Sequence, residues 1–283
     1  MLHEEDQSLE CRARDSYIFS FCIIVIQKDN VFEMPKVNML FHIHTRSYES
    51  PETHVMTQLW GELLREQCNE FTYLASMAGL HCDFSSSHTG VELHVSGYHH
   101  KAHVLLQRIV DTIFDDERNV VTQELFDRIH DKISEQYKCF LVASPYRHAM
   151  YGSDLCLEYV QWTIQDKMNA LKRTTLQDVE SFMKRRLFSK CSLEGLVHGN
   201  VSVDDAKKLS DIVLDKLKPS PDPHPMESRV IQLVPSKIVD GSSSTSCSYL
   251  YQFEEFNESD TNSCLVSALL PKSVVDVKVC CRI

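Results

Sequence analysis

The chain has 283 residues, of which 43% are hydrophobic and 24% charged, a balance that fits one or two globular domains with a full core. Its formal net charge of −11 excludes the basic face of a nucleic-acid binder. That charge permits a partner such as a basic peptide, although net charge speaks first to solubility and association.

Near the start, the apolar run Tyr17–Ile26 is too short to span a bilayer. It follows the acidic Glu4-Glu5-Asp6, where a secretory leader would carry positive charge. We read it as a single strand and expect no membrane partner. Val37, Met39, Phe41 and Ile43 then alternate with Asn38, His42 and His44, the period of a strand with one buried face. Ser50-Pro51 opens a helix, with Ser50 as N-cap and Pro51 in the first helical position. Met56, Leu59, Trp60, Leu63, Leu64, Phe71, Leu74, Ala75 and Ala78 make its apolar stripe, and Gly79 stands where a left-handed cap belongs. Such a helix is roughly 42 Å long at 1.5 Å per residue. It is expected to lie across a sheet, with Leu63 and Leu74 both buried.

Two strands follow around a turn at His88–Gly90. Leu105, Ile109, Val110 and Ile113 mark the next helix, and Val121, Leu125, Ile129 and Ile133 another. Helical patterns also cover roughly 146–159, 162–171 and 175–186. Leu193–His198 reads as a strand, and Ser202 with Asp205 caps a helix carrying Ala206, Leu209, Val213 and Leu217. Pro219, Pro221, Pro223 and Pro225 then predict a stiff, extended linker. Beyond it, strand-like runs at Val230–Val234, Tyr249–Phe253 and Cys264–Leu270 have no long helix to cover them.

The chemistry-bearing residues are sparse. Among fourteen histidines only His99 and His103 have the i, i+4 spacing of a helical zinc pair. The residues between them, His100, Lys101 and Ala102, supply no carboxylate for a general base. His42 and His44 form an H-x-H on one strand face, an arrangement that some metal hydrolases use, but Asn38 shares that face and a solvated or partner-facing side is the expectation. Cys82 and His88 flank a short strand at a spacing that matches no familiar zinc module. The chain has no H-x-x-E-H, no G-x-S-x-G, no G-x-G-x-x-G and no P-loop. Its eleven cysteines include no C-x-x-C pair, so free thiols in a reducing, cytoplasmic compartment are expected. Cys280 stands fourth from the end, the form of a prenylation box, but Cys281 and Arg282 are not aliphatic and no polybasic run precedes them.

Several runs together resemble the insulysin/nardilysin branch of the pitrilysin-like metallopeptidases. They are Met34-Pro35-Lys36, Asn69-Glu70 to Ala78-Gly79-Leu80, Val95-Ser96-Gly97-Tyr98, Trp162 to Ala170-Leu171, and Glu194 through Val201. The last run, with Asp215-Lys216-Leu217 after it, looks closer to nardilysin. The resemblance covers roughly 22–270 and implies an α+β fold: an antiparallel sheet covered by long helices, of the LuxS/metallopeptidase type, followed by a truncated second unit of the same type. It places residues 31–218 as the family's third, middle unit and 226–283 as the opening strands of a fourth. Residues 1–30 form an extension with a leading strand, and 219–225 the linker.

The family's zinc ligands and catalytic Glu lie in its first unit and have no counterparts here. The resemblance therefore implies no catalytic residue and no metal ligand in this chain, and no cofactor of its own, with zinc belonging to the full-length family. The expected function is a non-catalytic segment of the peptidase's chamber wall that helps to enclose peptides. The expected partners are peptides, basic ones among them, and the catalytic half of a metallopeptidase. A stand-alone, inactive peptide- or partner-binding module is the alternative.

Overall fold

The alternation in Val37, Met39, Phe41 and Ile43 becomes the spine of a mixed sheet. In the computed structural model these residues lie on strand β3, Lys36–His44, with their side chains buried and those between them turned outward. The structure describes residues 15–19, 21–115, 121–158, 160–220, 251–252, 256–257, 259–269 and 278–282. Contacts divide the chain into two compact units, Met1–His130 with Ala170–Met226, and Asp131–Asn169 with Glu227–Ile283.

The first unit carries a six-stranded sheet in the order β1-β2-β6-β3-β5-β4. Its strands are β1 Asp15–Phe19, β2 Cys22–Lys28, β3, β4 Leu80–Ser86, β5 Gly90–Tyr98 and β6 Ser192–Gly199. Two expectations are corrected here. The run read as one strand, Tyr17–Ile26, is a tight hairpin: β1 pairs antiparallel with β2, and Phe21 takes a positive φ of 71° at the reversal. Continuous apolar character hid that turn, because no Gly, Pro or Asn marks it. The sheet is also not purely antiparallel, since β6 runs parallel to β2 and antiparallel to β3. The reason is topological. β2 and β3 run in opposite directions, so a strand inserted between them must be parallel to one of the two.

Helix α1, Pro51–Met77, begins as the sequence predicts, with Pro51 at its start and the Ser50 hydroxyl accepting from Thr53 N. The Thr53 hydroxyl in turn accepts from Ser50 N, completing a reciprocal cap. Gly79, at φ 77°, follows its end. The inner two-thirds of the helix bury Val55, Leu59, Trp60, Leu63, Leu64 and Cys68. Leu63 is 1% exposed, but Leu74 is 64% exposed, contrary to expectation. The apolar stripe outlasts the burial: beyond Cys68, Tyr73, Leu74 and Met77 are exposed.

Helices α2, His99–Phe114, and α7, Val203–Leu217, cover the same sheet face, with Ser202 capping α7 by accepting from Asp205 N. α6, Leu176–Phe182, has its own reciprocal cap between Thr175 and Asp178 and runs into a π-helical turn, Met183–Leu187. The covered core collects Ile24, Met39, Phe41, Leu93, Leu106 and Val197. Gly195 fits this core because a Cβ there would stand 2.5 Å from Ile24 Cδ1 and 3.2 Å from Phe41 Cδ1.

Helix α3, Gln123–Leu141, carries the predicted Leu125, Ile129 and Ile133 and runs on beyond them, α5, Ile164–Arg173, lies within two residues of its expected 162–171, and α4 covers Pro145–Leu157. Within the second unit, Phe140, His148, Tyr151 and Phe256 form an aromatic cluster, with Phe140 and Phe256 each 5.0 Å from His148. His148 Nε2 is 2.6 Å from the Phe140 carbonyl. The Ile164 N–H donates to the Tyr151 hydroxyl. β7, Leu265–Leu269, agrees with the predicted run at 264–270 and packs against α4. It pairs with β8, Lys278–Arg282, a strand the sequence reading did not anticipate. Cys280 of the prenylation-like box lies in β8, paired with Ser267. Residues 1–14 and 20 of the 1–30 extension, most of the linker (221–225), the run 230–234 and most of 249–253 lie outside the described residues.

Candidate functional site

The sheet face opposite the helices holds the histidines that the sequence singled out. Register sets His42 between Glu92 on β5 and Glu194 on β6. His42 Nε2 is 3.0 Å from the Thr89 hydroxyl and its Nδ1 is 3.6 Å from Glu92 Oε1. Two residues along, His44 Nε2 approaches Glu194 Oε2 at 3.3 Å without the direction of a hydrogen bond. The two imidazoles stack, their centroids 4.2 Å apart and their planes 15° from parallel. Burial holds the His42 pKa below its ordinary value, and the neighbouring His44 lowers it further, against the pull of Glu92 and Glu194.

In the next row of the register, Leu196 and Leu40 lie side by side and exposed, with His94 beyond them. Ile23 is exposed beside Glu194. The face thus combines paired histidines and carboxylates with a short apolar row. H-x-H was visible in the sequence. Its carboxylate partners were not, because they become neighbours only through strand register.

His99 and His103 fall on the first turns of α2, and His103 borders a groove of about 790 Å3 between α1, α2 and α7. In that groove Arg108 stacks 4.7 Å from the Phe71 ring, and Asp111 accepts from Gln107 and pairs with Lys216 at 3.4 Å. Asp205 of α7 feels the charge of His99, but among the described residues no third donor completes a metal-binding group around the two histidines. Cys82 lies on β4, where burial pushes its thiol up to about 12, while His88 lies in the following turn and meets the ring of Tyr48. Cys68, on the facing helix, is pushed up to about 11 by burial. Among the described residues no group of three or more His, Cys, Asp or Glu could hold a metal ion. The donors that a zinc peptidase needs are therefore not brought together among the described side chains.

A mixed sheet with helices laid over one face defines a two-layer α+β unit. Comparison with known proteins places that unit. A family model described as the middle or third domain of peptidase M16 matches residues 20–170. Insulin-degrading enzyme-like 1 of Arabidopsis thaliana, named as peroxisomal, is 30% identical over 248 residues, covering 84% of this chain and 24% of the relative. Nardilysin of Pongo abelii is 29% identical over 241 residues, covering 84% of this chain and 20% of the relative. A relative in Schizosaccharomyces pombe is named as a zinc protease. Among solved structures, pitrilysin superposes with a TM-score of 0.68 at 16% identity, over 74% of this chain and 22% of pitrilysin, a likeness of fold. The chain belongs to the peptidase M16 family, in its insulysin/nardilysin-like branch, and corresponds to the middle or third domain. It spans a quarter or less of the length of the relatives just described.

Proposed function

We propose that this chain is a non-catalytic wall segment of an insulysin-like peptidase, and that its open sheet face helps to enclose peptide substrates. The observation that carries the reading is the match of residues 20–170 to a middle or third domain, in a sequence without H-x-x-E-H. A wall needs a stiff layer with an accessible face rather than reacting groups. The helix-backed sheet supplies the layer. Its open face supplies histidines, carboxylates and the apolar pair Leu40 and Leu196.

Zinc and the general base are supplied, on this reading, by the catalytic half of a metallopeptidase. Basic peptides are the expected substrates, given the net charge of −11. Residues 226–283 act as the beginning of the following unit. Among the described residues no helix is long and apolar enough to cross a membrane. Seven described cysteines are free thiols, which fits the reducing cytoplasm.

The test is a chimera in which residues 22–218 replace the aligned stretch of the Arabidopsis relative, assayed beside the chain alone. The chimera is expected to keep chelator-sensitive peptide hydrolysis, and the chain alone to show none. About one tightly bound zinc per isolated chain, with chelator-sensitive cleavage, would overturn the reading.

A further inference from the structure

We propose that the free edge of β4, with the groove between it and α1, accepts an extended cationic peptide as an added strand. Among the described residues β4 is the last strand in the sheet order and pairs with β5 alone. In an antiparallel edge strand, alternate residues turn both backbone groups away from the partner. The Phe84 carbonyl is such a group, because it accepts from Arg65 Nη2 of α1 at 2.6 Å. By the same alternation Cys82, two residues earlier, also directs its N–H and C=O outward. An incoming strand finds there the pairing groups that β-strand addition uses.

A groove of about 160 Å3 lies beside this edge, bordered by Trp60, Gly61 and Glu62 of α1 and by Phe84 to Ser86 of β4. Gly61 opens it on the helix side: a Cβ at that position would meet nothing within 4 Å. Trp60 is only 2% exposed, yet its Nε1–H has no acceptor among the described residues. Buried indole N–H groups ordinarily find one. A peptide carbonyl in the groove supplies that acceptor.

The charge preference comes from Arg65 and its neighbours. Its guanidinium donates to Glu62, lies 4.0 Å from Asp83 and occupies the Phe84 carbonyl. Arg65 is therefore a built-in stand-in for the ligand, half exposed and able to swing away. A peptide carrying Lys replaces its charge between Glu62 and Asp83, while a peptide N–H takes its place on the Phe84 carbonyl. This site adds to the chamber-wall reading without resting on it.

The experiment is a fluorescence-anisotropy titration of the full chain with a fluorescein-labelled (Lys-Val)5 decapeptide. A second peptide of the same sequence is N-methylated at every valine, so one edge cannot donate. The parent is expected to bind and the methylated form to lose at least about tenfold in affinity. Arg65→Ala should tighten binding about tenfold, the worth of one charged hydrogen bond. Cys82→Pro removes an outward N–H, a position where an edge strand tolerates proline, and should weaken binding by a similar factor. If the two peptides bind alike, if Arg65→Ala leaves affinity unchanged or lower, or if the parent does not bind up to about 1 mM, the proposal fails. It fails equally if size-exclusion chromatography shows the edge already taken by a second copy of the chain, with Cys82→Pro restoring the monomer. The methylated peptide keeps the test decisive should the proline variant not fold.

Discussion

Leu63 and Leu74 lie on the same helix and differ in the one respect that matters for stability. Leu63 is 1% exposed between α1 and the sheet, and Leu74 is 64% exposed near the end of α1. Truncation to Ala removes about three carbons, each worth about 0.8 kcal/mol of transfer from water. At Leu63 that is about 2.4 kcal/mol, and incomplete collapse of the cavity raises the total toward 3–4 kcal/mol, inside the range of about 2–5 for buried leucines. With a urea dependence of about 2 kcal/mol per molar, the midpoint of Leu63→Ala should fall by about 1.5–2 M. Leu74→Ala should stay within about 0.5 kcal/mol, a shift of about 0.25 M at most. Urea titrations followed by far-UV circular dichroism compare the two variants under one set of conditions. Equal midpoints, or a larger fall for Leu74→Ala, would refute the packing of α1 described above.

Three further outcomes follow from the site and the core. Because burial and His44 hold the His42 pKa below its unfolded value, the unfolded chain binds more protons as pH falls below about 6.5. His42 should therefore cost stability as pH falls through that value, and His42→Gln should flatten the dependence in melts run between about pH 5 and 8. With their thiols raised to about 11 and about 12, Cys68 and Cys82 should resist iodoacetamide at neutral pH while exposed Cys139 reacts; mass spectrometry of peptides from native and urea-unfolded protein reads this directly. Gly97→Ala should destabilise by more than about 2 kcal/mol in the same urea assay, since φ is 128° and the new Cβ would stand 2.2 Å from the Gly79 carbonyl oxygen.

Local rules carried the sequence reading a long way and failed at identifiable places. The two-residue period of Val37 to Ile43 gave β3, and Ser50-Pro51 gave the start of α1, because both depend only on neighbours. Leu74 was misjudged because helical periodicity says which face is apolar and not how much of that face is covered. The parallel pairing of β2 with β6 joins Cys22 to Leu193, a relation no local pattern encodes. The same limit applied to function. His42-x-His44 stood out as a motif, whereas Glu92 and Glu194 had no signal of their own. The groove at β4 was equally invisible: Arg65, Glu62 and Phe84 meet only when α1 lies along the edge strand.

The place of β6 within the sheet has a consequence for the order in which the molecule assembles. β6 begins at Ser192, yet it separates β2 from β3, which end at Lys28 and His44. Hairpins β1–β2 and β4–β5, with β3 beside β5, can form from nearby segments as the chain emerges. The two halves of the sheet share no hydrogen bonds until the late strand is threaded between them. Contacts of such long sequence separation are entropically costly and slow to form. During synthesis the waiting edges of β2 and β3 are therefore unpaired at the centre of the future sheet, where Ile24, Ile26, Met39 and Phe41 are concentrated. That interval, rather than the finished fold, is when this polypeptide is most exposed to aggregation and most dependent on chaperones.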